Sequence, residues 1–141
     1  QGERWAATWT IHPETADAPG STGIWLATFR GAFEDPIRRR IADTFPDGAA
    51  RLAASANGRI LLTWDDNGTS PVHVQLFDSH VEPEGPARTD LLVSDVCPYL
   101  GAARSAFLPT GRFALGWTNF GDDEDLGWNP AFERFALAVL R

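Results

Sequence analysis

Arg59-Ile60-Leu61-Leu62-Thr63-Trp64 decides how this chain must be read, because its pattern recurs. Arg4-Trp5-Ala6-Ala7-Thr8-Trp9 precedes it and Arg112-Phe113-Ala114-Leu115-Gly116-Trp117 follows it. The closing tryptophans stand 64 − 9 = 55 and 117 − 64 = 53 residues apart. A period of this size marks stacked supersecondary units, each unable to bury its apolar surface alone.

The recurrence extends past the tryptophans. Each phrase is followed by a variable loop and a second apolar run: Ile24-Trp25-Leu26-Ala27-Thr28-Phe29, Val72-His73-Val74-Gln75-Leu76-Phe77 and Phe135-Ala136-Leu137-Ala138-Val139-Leu140. Two copies add a third run, at 39–43 and 91–95. Two also carry a run before the phrase, at 50–56 and 103–108. Asn57-Gly58 and Thr110-Gly111 then punctuate a tight hairpin turn. Short alternating or wholly apolar runs divided by Gly, Pro, Asn and Asp are strand grammar. Ala and Arg content alone would allow helices over 37–43 and 48–56, but their alignment with 91–95 and 103–108 overrides it.

Naming the strands of one unit a, b, c and d, with the Trp phrase as b, the chain reads b-c-d, a-b-c-d, a-b-c. The expectation is one all-β domain over 1–141. It holds antiparallel four-stranded meanders as a part-blade 1–43, a full blade 50–95 and a part-blade 103–141. A partial β-propeller is the first reading, and a β-sandwich of the same strands is the alternative. Closed rings take roughly four to eight blades, so further copies of the chain, or the remainder of a split propeller, are the expected partners.

Leu76-Phe77-Asp78 and Leu108-Pro109-Thr110-Gly111-Arg112-Phe113-Ala114-Leu115-Gly116-Trp117-Thr118 carry a resemblance. They resemble the tandem β-propeller-like repeats of large secreted bacterial proteins, in which a G-x-F-V-V-x-W phrase is followed by Q-x-F-D. The resemblance implies blades and an extracellular or periplasmic setting, and its residues are mostly structural. The first copy departs from it with Phe29-Arg30 in place of Phe-Asp, and the last with Leu140-Arg141. Such divergence implies an old array whose blades have specialised.

Composition bounds the function. Six Trp and 43% hydrophobic residues over 141 residues provide for a core. No apolar window reaches the roughly 20 residues of a membrane span. No apolar leader is present and the chain opens at Gln1 rather than Met, which fits a removed leader or a piece of a longer precursor. The single Cys97 forbids an internal disulfide, and no His or Lys lies near it to activate a thiolate. With a net charge of −7, nucleic acid and anionic membranes are repelled.

Charge position says more than its total. In an a-b-c-d meander the b-to-c and d-to-a loops leave one face. They hold Glu14, Asp17, Asp47, Asp65, Asp66, Asp122, Asp123, Glu124, Asp125 and Glu133, and no Arg. Such an anionic rim implies solvation, bound cations or a basic partner. Asp122-Asp123-Glu124-Asp125 lies in a Gly-containing loop, where closely spaced oxygens suit a hard cation such as Ca²⁺. A solvated acidic loop is the plainer reading. Trp128, Tyr99, His12, Asp65 and Asp66 are the candidate ligand-binding residues on this rim. Trp128, among acids, is suited to stack on a sugar ring or a peptide side chain.

Trp9, Trp64 and Trp117 recur periodically and are expected in the core. His73 alternates against Val72 and Val74, so a solvent-side or inter-blade position is expected. No H-E-x-x-H, G-x-S-x-G or phosphate-binding glycine loop is present. The functional expectation is a non-catalytic recognition or assembly module that binds carbohydrate or basic protein through acidic rim loops. The alternative is part of a propeller-type glycoside hydrolase using loop carboxylates.

Overall fold

The structure, a computed structural model, describes residues 4–12, 22–31, 34–43, 50–66, 69–89, 104–119 and 134–140. Among them every regular element is a strand: β1 (Arg4–Ile11), β2 (Gly23–Arg30), β3 (Glu34–Ala42), β4 (Arg51–Ala54), β5 (Ile60–Asp66), β6 (Thr69–Phe77), β7 (Arg104–Phe107), β8 (Phe113–Asn119) and β9 (Arg134–Leu140). They form three antiparallel three-stranded sheets in chain order, β1-β2-β3, β4-β5-β6 and β7-β8-β9. The chain is all-β. Strands β3 and β4 occupy the stretches whose local propensity allowed helices, so repeat alignment outranked propensity there.

The 55–59 turn, between β4 and β5, shows how local sequence sets register. Gly58 N donates to Ser55 O at 3.0 Å and Ser55 N to Arg59 O at 2.9 Å. Only glycine takes positive φ in this turn, Gly58 at +88°, the pattern of a type I turn closed by a bulge. The third sheet repeats the bonds, Gly111 N to Leu108 O at 3.0 Å and Leu108 N to Arg112 O at 2.7 Å.

Alternation along the strands makes two usable faces per sheet. In the first sheet, register groups Ala6, Ile24 and Leu26 on one face, and Trp5, Trp9, Trp25 and Phe29 on the other. In the second, Ile60, Leu62, Trp64 and Phe77 share one face, and Leu61, Thr63, Val72 and Val74 the other. The first-named faces pack together into the core of Ile24, Leu26, Ala50, Ile60, Leu62, Trp64, Phe77 and Val81. Leu61, Thr63, Val72 and Val74 are also buried, on the face opposite this core. β7 of the third sheet runs beside β4, and Leu115 of β8 is fully buried.

Two side chains of the first sheet fasten the 78–82 turn, which follows β6. Thr28 Oγ1 donates to Ser79 O at 3.2 Å, and Arg39 donates to Val81 O and pairs with Glu82. Val81 sits at φ 64°, a strained conformation for a β-branched residue. Its side chain is buried against the core, which offsets that strain.

One sequence reading needs correction. Trp64 is 5% exposed, as expected, but Trp9 is 36% exposed because its face of the first sheet has no sheet packed on it among the described residues. The side chain of Trp117 lies outside the described residues. The outer edge of β6 is bridged by residues 83–88, through Phe77↔Pro83 and Val74↔Arg88. The expected fourth strand, Leu91–Asp95, lies outside the described residues. Pro83 and Pro86 remove ladder donors, so 83–88 makes bridges rather than a strand.

Candidate functional site

The start of β1, the end of β2, the 55–59 turn and Ser79 enclose a cleft of about 750 Å³ between the first two sheets. This end carries the a-to-b and c-to-d connections, so the predicted segregation of loops to opposite ends holds for these two sheets. Trp5, Ala6, Ala54 and Ile60 give the cleft an apolar wall, and Arg4, Arg30, Ser55, Asn57 and Ser79 supply its polar groups.

Strand register places Arg4 directly opposite Arg30. Like charges so opposed destabilise a sheet unless something neutralises them. On its other side Arg30 stands opposite Glu34 of β3, an acid placed to offset one of the two charges, and Arg39, Arg40 and Arg59 each have an ion-pair partner. Arg59 holds the same repeat position as Arg4. It donates through Nε to both Glu84 oxygens, at 3.1 and 3.0 Å, and through Nη2 to Glu84 Oε2 at 2.5 Å. In the second sheet the arginine of this repeat position is thus neutralised by Glu84.

Arg30 also replaces a residue with a defined structural task. Its counterpart Asp78 accepts hydrogen bonds from the backbone N–H of Glu82 at 2.9 Å and of His80 at 2.8 Å. These two donations hold the Asp78 carboxyl below its ordinary value, with the charge of nearby His80 acting the same way. Gln75 Nε2 donates to Gly85 O at 3.1 Å. The Gln75-Leu76-Phe77-Asp78 phrase is thus structural: it anchors a loop, fills the core and caps a turn. In the first sheet the capping carboxylate has become a cation.

The rim of the cleft is held rigidly. Ser55 Oγ accepts from Arg59 N at 2.9 Å and donates to Asn57 Oδ1. Asn57 Nδ2 is left without a partner among the described residues. A Cβ at Gly58 would lie 3.1 Å from Ser79 Cβ and 4.0 Å from Arg4 Nη1, so this glycine lets the turn approach both.

The sequence-derived candidates fall elsewhere. Asp65 and Asp66 close β5, with Asp66 paired to Thr69 across the connection to β6. They lie at the end of that sheet remote from the cleft. His12 is exposed just past β1. Tyr99, Trp128, Asp122, Asp123, Glu124 and Asp125 lie outside the described residues, among which no group of three or more His, Cys, Asp or Glu could hold a metal ion. His73 is half-buried and stacks on Trp64 with ring centroids 5.0 Å apart, which places it on the inter-sheet side. The Arg4 and Arg30 cleft was not among the expected sites. Its signal in the sequence was the replacement of Phe-Asp by Phe29-Arg30. No helix among the described residues is long and apolar enough to cross a membrane. No family model, curated protein or solved structure matches this chain.

Proposed function

We propose that this chain is a non-catalytic recognition and assembly module, a run of propeller-type blades that is completed by stacking a further sheet on its first one. One observation carries the reading. Trp64 is covered by the first sheet, while Trp9, the same residue of the repeat, sits on an outward face with 36% exposure beside Trp5 at 52%. An exposed aromatic face that is buried in the next copy of the repeat marks a missing neighbour.

A second copy of the chain supplies that neighbour. In β8 and β9 the pairs Ala114↔Val139, Gly116↔Leu137 and Thr118↔Phe135 occupy the alternation that Leu61↔Leu76 and Thr63↔Val74 occupy in the second sheet. The third sheet of one copy is therefore the natural cover for the first sheet of the next. Recognition belongs to the acidic loops of the opposite rim, toward carbohydrate or basic protein, with Ca²⁺ as the candidate ion, in a secreted bacterial setting.

Light scattering on chromatographed protein tests the assembly. A mass that is a multiple of 15.4 kDa, returning to the monomer value in Trp9→Glu, is the expected result. A wild-type monomer at about 100 μM would overturn it, since face-to-face interfaces of standard size bind well below that concentration.

A further inference from the structure

We propose that the free edge of β1 takes up an extended segment of another polypeptide as a further strand, with the sequence pattern Arg-x-Ala-aromatic. The proposal deepens the assembly reading and rests on the same repeat, but it uses the edge of the first sheet and not its outward face.

The repeat shows what belongs on that edge. β4 and β7 each lie against the strand that matches β1, and in one register. Arg51, Ala53 and Ala54 oppose Thr63, Leu61 and Ile60, while Arg104, Ala106 and Phe107 oppose Gly116, Ala114 and Phe113. Carried to the first sheet, an incoming strand sets its Arg opposite Thr8, its Ala opposite Ala6 and its last residue opposite Trp5. Among the described residues no strand takes that place, since β1 ends its sheet. No residue of β1 is buried, whereas the matching Ile60–Trp64 are buried throughout. The approach is open too. β4 lies beside β1 as β7 lies beside β5, and β5 still carries β4 on its edge. The incoming strand would run alongside β4 as β4 runs alongside β7.

The sheet edges differ in protection. An unpaired edge invites strand addition unless proline, charge, irregular register or a covering segment blunts it. β3 carries Pro36, Arg38, Arg39 and Arg40, and two register shifts. β6 is bridged by 83–88. β1 runs eight residues in unbroken register, with no proline and one charge, Arg4. Its alternate N–H and C=O groups suit a partner's main chain, and side chains then select the partner. Phe107 meets Phe113 edge-on with ring centroids 6.3 Å apart. Trp5 holds the position of Phe113 and is 52% exposed, so an aromatic residue opposite it is favoured.

The probe is a capped peptide, Ala-Arg-Ser-Ala-Phe-Leu, the sequence of residues 103–108. Hydrogen exchange of the whole chain, read by mass spectrometry, is the assay, with Trp fluorescence beside it. At peptide about ten times its dissociation constant, the outward amides of β1 should exchange about tenfold more slowly. A peptide with Ala106→Pro should not bind, because proline breaks extended pairing. A peptide with Phe107→Ala should bind about fivefold more weakly. Unchanged exchange in β1 up to about 5 mM peptide overturns the proposal. Equal binding of either altered peptide does so too, as does slowing in β3 or β6 in place of β1. Slowing in β1 that rises with protein concentration before peptide is added puts a second copy on the edge and also overturns it. Light scattering keeps the two readings apart: oligomers whose β1 ignores the peptide sink this proposal alone, and a monomer that binds the peptide sinks only the stacking of copies.

Discussion

Trp9→Ala and Trp64→Ala are one substitution made at one position of the repeat, and the fold predicts that they differ. Trp64 is 5% exposed, lies in the core between the first two sheets and stacks on His73. Truncating a buried tryptophan costs about 3–5 kcal/mol, because the transfer term adds to an unfilled cavity. Trp9 is 36% exposed and stacks on Trp25 with centroids 6.2 Å apart. Its area term, from about 200 Å² scaled to its buried share at about 25 cal/mol per Å², is about 3 kcal/mol at most. Its loss opens no closed cavity, so about 1–2 kcal/mol is expected. Urea titrations at low micromolar protein should therefore separate the variants by about 2 kcal/mol, on the order of 1 M in midpoint. Equal losses, or a Trp64→Ala loss below about 1 kcal/mol, would refute the packing of the first sheet over the second. The same pair reports on assembly: the wild-type midpoint should rise with protein concentration, and that rise should vanish in Trp9→Ala.

Gly58→Ala should lose about 1–3 kcal/mol from strain at φ +88° and crowding against Ser79, and more than Gly111→Ala, whose turn has open space, as compared by urea midpoints. Asp78→Asn tests acid behaviour. The Asp78 pKa is lowered in the folded chain, so its contribution is full above the unfolded value of 3.8 and is lost as pH falls through the folded value. The midpoint gap between wild type and Asp78→Asn should then be largest near neutrality and close as pH falls below 3.8 through the folded value; a gap that widens in acid contradicts the capping role. Glu84→Ala breaks a partly exposed ion pair and should cost under about 1 kcal/mol, measured the same way.

Much of the fold was legible because strand alternation and repeat spacing are local signals. Ile60, Leu62 and Trp64 alternate with Leu61 and Thr63, and both sets are buried, as a sheet covered on both faces requires. Asn57-Gly58 and Thr110-Gly111 marked turns because only glycine takes the left-handed backbone that closes them. The Pro-interrupted bridging of β6 by 83–88 was hidden, since neither period nor propensity marks a segment that bonds at only a few points. The cleft was hidden for another reason. Arg4 and Arg30 are far apart in the chain, and their opposition exists only once β1 and β2 pair.

The sequence by itself determined the strands, their faces and the repeat, because each follows from neighbours along the chain. It also contained the exchange of Asp for Arg at position 30, without its meaning. Which tryptophan is covered, and which acid each arginine meets, was decided only by packing. Burial and charge pairing depend on what arrives from another sheet, and Trp9 and Arg4 differ from Trp64 and Arg59 in nothing but their neighbours.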